Sequence, residues 1–202
     1  METLIRRVTE AVGPIYLSSP VYRHSIWAHV LRVSEHAKDF ALKLSLNLVI
    51  AELGGLLHDL GAAMYGAENH HITGAKEAVP ILLSCECPVE FIGPVVSAIY
   101  SHRGSQTIAF QTQEAKCVAA ADAKDHFVNL QELWRVQTSD LRIPKANVYQ
   151  RLLGKLQRDW EKISPEIKFM LDGTYERAQQ ELLEIASRNG NHEKIASRGK
   201  KT

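Results

Sequence analysis

The 202-residue sequence predicts an all-α fold, a helical bundle with additional C-terminal helices, on three observations. Apolar residues recur at steps of three and four along nearly the whole chain, the spacing of amphipathic helices. Strand character is confined to 107–110, a short stretch flanked by polar residues. No internal repeat, low-complexity block or Gly/Ser linker interrupts the pattern, so 1–187 reads as one domain.

The elements follow in order. Ile26, Val30, Val33, Ala37, Phe40, Ala41 and Leu44 place a helix over 24–44. A second runs over 47–60, where Gly61 is expected to stop it as a left-handed C-terminal residue. Ala75, Ala78, Val79 and Leu82 carry a third over 73–83, with Pro80 implying a kink or a restart. Pro88 suits the first turn of a helix over 89–100. The segment 114–128 is alanine-rich on one side, so a neighbour must pack close against it. A polar loop is expected at 136–145. Helices at 145–160 and 165–187 then form a C-terminal extension, the last with Ser164 as N-cap and Pro165 in its first turn.

Composition narrows the partners. Apolar residues make up 45% and charged residues 23%, with a formal net charge of +1, which gives no general attraction to nucleic acid or membrane. Five Lys/Arg against one acid fill residues 188–202, expected to be a solvated, disordered basic tail. No apolar run reaches the roughly 18–20 residues of a bilayer span, and the N-terminus lacks a signal-peptide pattern. The expectation is a cytoplasmic protein with three reduced, buried cysteines; Cys85 and Cys87 lack the spacing of a redox pair.

Chemistry is concentrated in the polar residues set inside apolar helices. His29 sits in Trp27-Ala28-His29-Val30-Leu31, and His58-Asp59 follows Leu56-Leu57. His70-His71 and His102 come next, and Asp122 lies in an alanine run. A lone buried histidine is usually a hydrogen-bonded core residue. Several such groups, each alone in its own apolar helix, would each need a buried partner. One divalent cation satisfies them together, and nitrogen and carboxylate donors without thiolate suit Mn, Fe, Co, Ni, Zn or Mg.

The order His29, His58-Asp59, Asp122 resembles that of the HD domain superfamily of metal-dependent phosphohydrolases. His29-Val30-Leu31-Arg32-Val33 looks like its H-x-x-R-V, and Leu56-Leu57-His58-Asp59-Leu60-Gly61 like its LLHDIG. Asn69-His70-His71-Ile72-Thr73-Gly74-Ala75 looks like its H-x-x-x-G-A, and Ala121-Asp122-Ala123 like its closing aspartate. The likeness covers about residues 20–130. It implies His29, His58, Asp59 and Asp122 as metal ligands. His70 and His102 fall on the positions that hold a second metal in some members, with Asp59 bridging. Ser101 departs from the pattern, since some two-metal members have a histidine there. One or two ions are therefore open, and without the second His70 and His102 would act as phosphate donors or a general acid.

Arg103 is a candidate phosphate clamp or an ordinary solvent cap after a helix end, while Lys124 faces either the site or water. Arg32 is expected in a structural salt bridge, His71 is the weaker ligand of its pair, and His24, His36, His126 and His192 are read as structural or exposed. The resemblance thus implies Asp59, His70, His102 and Arg103 in catalysis on a small phosphorylated substrate, a nucleotide above all, hydrolysed by hydroxide from a polarised water. Nucleic acid and membrane are not expected partners, and oligomeric state is not legible. Two other readings share the ligand set: a nucleotide-binding regulatory module without turnover, and a di-iron oxygenase.

Overall fold

Alanine and glycine decide how closely the helices of this protein approach, and that approach builds the site. The computed structural model describes residues 2–22 and 25–189. Eleven helices span them: α1 Glu2–Leu17, α2 Ser25–Lys43, α3 Leu48–Leu57, α4 Leu60–Tyr65, α5 His70–Ser84 and α6 Val89–Ser101 come first. Then follow α7 Gln113–Val128, α8 Leu130–Arg135, α9 Lys145–Lys162, α10 Pro165–Met170 and α11 Thr174–Arg188. No strand occurs among the described residues, 107–110 included, so the all-α expectation is met. His24, His192 and the tail from 190 lie outside the described residues; Arg188 itself closes α11.

Helix α7 is the hub. Ala115, Val118, Ala119, Ala120, Ala121 and Ala123 are buried, and small side chains let α2, α3 and α6 pack on it from one side and α9 and α11 from the other. Two apolar clusters result. One joins Val33, Ala37 and Phe40 of α2 to α7 and to Leu152, Leu156 and Leu182 of the C-terminal helices. The other joins Val8, Val12 and Tyr16 of α1 to α3–α6. The C-terminal helices are thus part of the same core as the rest. Cys85, Cys87 and Cys117 are free and buried, and burial pushes the Cys117 thiol up to about 12.

The second predicted helix divides. Asn47 caps α3 through its side chain, which accepts from the Val49 and Ile50 amides. The α-helix then ends at Leu57, and His58-Asp59 form a turn before α4 resumes. Gly61 is therefore not a left-handed stop, because it lies inside α4. Its role is space: a Cβ there would meet the His70 carbonyl at 2.2 Å and the Gly74 amide at 2.5 Å, so only glycine lets α4 rest on α5. Residues Leu48–Tyr65 together have the length and apolarity of a membrane span, contrary to the sequence reading, but most of the stretch is buried inside the protein as its central helix pair.

Other departures have local causes. Pro80 sits inside an unbroken α5, on the exposed face. Pro88 occupies the N-cap position of α6 rather than its first turn. The expected loop at 136–145 begins as a π-helical turn, Val136–Asp140, that continues α8 and is held down by buried Leu130, Trp134 and Gln137. The last predicted helix splits into α10 and α11 at Gly173, whose φ of 65° takes the left-handed turn between them. Ser164 stands at the N-cap of α10 without a side-chain cap bond.

Candidate metal centre

Close packing of α2 on α3 brings His29 beside His58. A Cβ on Gly55 would lie 2.7 Å from the Ser34 Cα, so the two helices touch backbone to backbone. His29 Nε2 and His58 Nε2 are 3.2 Å apart. The turn after α3 turns Asp59 into the same space, the seating of α5 on α4 brings His70, the end of α6 brings His102, and α7 supplies Asp122. His70 Nε2 and His102 Nε2 form a second close pair at 3.1 Å.

Asp59 stands between the pairs. Its Oδ2 is 3.8 Å from His29 Nε2 and 3.7 Å from His58 Nε2. Its Oδ1 is 3.4 Å from His70 Nε2 and 3.8 Å from His102 Nε2. Asp122 Oδ1 lies 3.2 Å from His29 and 3.6 Å from His58. Among the described residues, four overlapping groups are each compact enough to hold an ion: His29–His58–Asp59, Asp59–His70–His102, His58–His102–Asp122 and His29–Asp122–His126.

The ring tautomers make these clusters fit a cation. His58 Nδ1 donates to the Gly55 carbonyl at 2.7 Å, His70 Nδ1 to the Ala67 carbonyl at 2.8 Å and His102 Nδ1 to the Ile99 carbonyl at 2.6 Å. A carbonyl only accepts, so each Nδ1 carries a hydrogen and Nε2 is the ring nitrogen turned inward. His29 Nδ1 donates likewise to the Asp125 carboxylate at 2.7 Å. Imidazole nitrogens and carboxylates crowded together, with burial of His58 and His102 nearly complete, need positive charge among them, which a cation would supply.

The electrostatics agree. Burial alone would raise the Asp59 and Asp122 carboxyls, yet the histidines around them hold both below the usual carboxylate range. Burial opposes charge on His29, but Asp122 and Asp125 more than reverse it and raise the imidazolium to about 10. His102 moves the other way, pushed down by burial and by His58 and His70. The Asp122 side of the centre is rich in anionic oxygen, and the His70–His102 side in imidazole nitrogen.

All six predicted ligand residues converge. Ser101, the departure from the two-metal pattern, turns its hydroxyl back to the Ser97 carbonyl at 2.8 Å. Arg103 lies on the rim, bonded to the Ser105 hydroxyl at 2.8 Å, and touches none of the six. Arg32 makes the expected salt bridge, to Asp125 at 2.7 Å and Glu132 at 2.7 Å. Lys124 points to His36 at 3.1 Å, away from the centre, and buried His71 packs on Tyr100.

Sequence reasoning missed two residues of α7. Asp125 is buried and bound by Arg32, His29 and Asn129, so it orients His29. His126, read as structural or exposed, stacks on His29 with its Nε2 3.4 Å from Asp122 Oδ1 and its Nδ1 3.2 Å from Asp159 Oδ2. Steps of three and four from Asp122 were the signal, since such residues share a helix face. Asp159 and its partner Lys155, 3.0 Å away, come from α9 and carried no signal at all.

The centre opens into a cavity of about 250 Å³. A family model described as "HD domain" matches residues 26–126. Proteins named Ribonuclease Y match as well. The one from Symbiobacterium thermophilum is 31% identical over 102 residues, and that from Fervidobacterium nodosum 30% over 102. The match in Fusobacterium nucleatum is 29% over 110 residues. Each covers 50% of this chain but only 18% of the relative. No solved structure matches.

Proposed function

The chain belongs to the HD domain family, and from that premise we propose that it is a metal-dependent phosphohydrolase acting on a phosphate ester or anhydride of a nucleotide. One observation carries the reading: four histidine Nε2 atoms converge on a carboxylate, Asp59, whose two oxygens serve two separate pairs. His29, His58, Asp59 and Asp122 would hold one divalent cation, and Asp59, His70 and His102 a second. Such a cation, when bound, makes its water more acidic and shields phosphate charge.

The chain's own groups do the positioning. Backbone carbonyls fix the orientation of His58, His70 and His102, and Asp125, itself clamped by Arg32, fixes that of His29. A general-acid role for His70 or His102 would need a hydrogen on Nε2 as well as on Nδ1, so the geometry favours ligand over acid for both. Arg103 on the rim is free to meet a phosphate oxygen, since it forms no ion pair among the described residues. No serine or cysteine hydroxyl or thiol stands among the converging groups, which favours direct attack of water on phosphorus.

A second reading is cleavage of RNA. It is favoured by the name Ribonuclease Y of the relatives, whose likeness covers about half of this chain. Net charge had spoken against nucleic acid, but a local site does not depend on net charge.

The test is metal analysis of the purified protein, followed by product release from mononucleotides and from short RNA with each divalent metal. About two ions per chain and chelator-sensitive turnover are expected. Turnover by the metal-free protein would overturn the reading, and cleavage of RNA faster than of any mononucleotide would select the second.

A further inference from the structure

The cavity wall facing solvent is built by α9, outside residues 26–126 of the family match. Arg151, Lys155 and Arg158 follow one another at steps of four and three, so they share one face of the helix. The adjoining face, Val148, Leu152 and Leu156, is buried in the core and fixes how α9 is turned. All three cations line the same cavity as the His/Asp centre.

Their partners differ. Lys155 is neutralised by Asp159 at 3.0 Å, as Arg32 is by Asp125 and Glu132. Arg151 bonds only the uncharged Gln137 carbonyl at 2.7 Å, and Arg158 has no ion pair or hydrogen bond among the described residues. Two guanidinium groups therefore line the cavity of the centre without a carboxylate in ion-pair contact among the described residues, although Glu161 shares the second cavity with Arg158. A second cavity, of about 380 Å³, shares Gly104, Ser105 and Arg158 with the first. Arg158 thus stands where the two cavities meet. Apolar Ile108 and Phe110 line the far cavity.

We propose that Arg151 and Arg158 form a second phosphate-binding site, so that the substrate is a nucleotide carrying a phosphate beyond the one that reacts. The planar guanidinium fork matches a phosphate's oxygens. The inference rests on the phosphohydrolase reading above for what happens at the centre, but its own content is binding. The extra phosphate has two sources, the anhydride of a nucleoside diphosphate or the backbone of a 5′-phosphorylated dinucleotide.

The experiment is calorimetric titration of the full, metal-loaded chain with three hydrolysis-resistant ligands. These are adenosine monophosphorothioate, αβ-methylene ADP and a 5′-phosphorylated, phosphorothioate-linked adenosine dinucleotide. At least one two-phosphate ligand should bind tenfold or more tighter than the one-phosphate ligand. The Arg151→Met/Arg158→Met double variant should lose that ratio, while Arg6→Met, on distant α1, keeps it. Whichever two-phosphate ligand is tighter identifies the source. Equal binding of all three ligands by the native chain, or a ratio that survives the double variant, overturns the proposal. Arginine-dependent binding of these ligands, with no metal-dependent hydrolysis of the corresponding natural nucleotides, would instead overturn the phosphohydrolase reading and leave the second phosphate site standing.

Discussion

Asp59 is the one residue whose removal touches both halves of the centre. Its two oxygens lie 3.4–3.8 Å from four imidazole nitrogens, so Asp59→Ala takes a ligand from each cluster at once. Metal analysis should find both ions lost and hydrolysis abolished, with the helical circular dichroism retained. His102→Ala should reduce about two ions per chain to about one; unchanged stoichiometry with a slower rate would return His102 to an acid or donor role. Asp125 acts at one remove. Asp125→Asn keeps every ligand but weakens the grip on His29 Nδ1, and such outer partners are worth roughly 10–100-fold in metal affinity. Competition with a chelator measures that loss, and an unchanged affinity would show that Asp125 serves only Arg32.

The helices behave as spacers whose contact distances are set by single residues. Gly61 lets α4 lie directly on α5, and α5 begins with His70. The clash in Gly61→Ala is with backbone, the His70 carbonyl and the Gly74 amide, and so cannot be relieved by a rotamer change. Overpacking of this kind costs about 1–3 kcal/mol. Thermal unfolding should show the loss, and displacement of α5 should also lower metal stoichiometry by moving His70. A variant with native melting temperature and native stoichiometry would mean that α4 and α5 separate without consequence. Helix α7 works by the same logic in reverse, with alanines rather than bulk admitting neighbours on both sides.

For the whole molecule, the centre is a load that the fold carries without its metal only at a cost. Six candidate ligand residues from five segments turn imidazole nitrogens and carboxylates toward one another, and α9 lines the cavity they share. Metal should therefore stabilise the entire bundle by mass action, by about 4 kcal/mol when free metal is a thousandfold above its dissociation constant. A chelator should lower the melting temperature of the native chain and leave that of Asp59→Ala where it was. Equal response of the two proteins would place the stabilising ion somewhere other than this centre. Since α9 and α11 share a core with α2 and α7, the transition is expected to be single.

The sequence by itself determined the helices and most of the ligand set. Periodicity is local, and each polar residue in an apolar helix announces that something must compensate for it; His29, His58, Asp59, His70, His102 and Asp122 were all legible in this way. Helix ends were less so. The break at His58-Asp59 and the interior place of Gly61 depend on α5 resting against α4, which no local pattern encodes. Only the tertiary structure decided which nitrogen of each ring faces inward, because the carbonyls and the carboxylate that fix it are set by how the chain turns and packs. It also decided that Asp59 stands between two pairs, that His126 joins Asp122, and that α9 brings Arg151, Lys155, Arg158 and Asp159 to a cavity more than twenty residues away in the chain from α7. Such meetings are made by packing between distant segments. A one-dimensional pattern records which face of a helix is apolar, but not what that face will be pressed against.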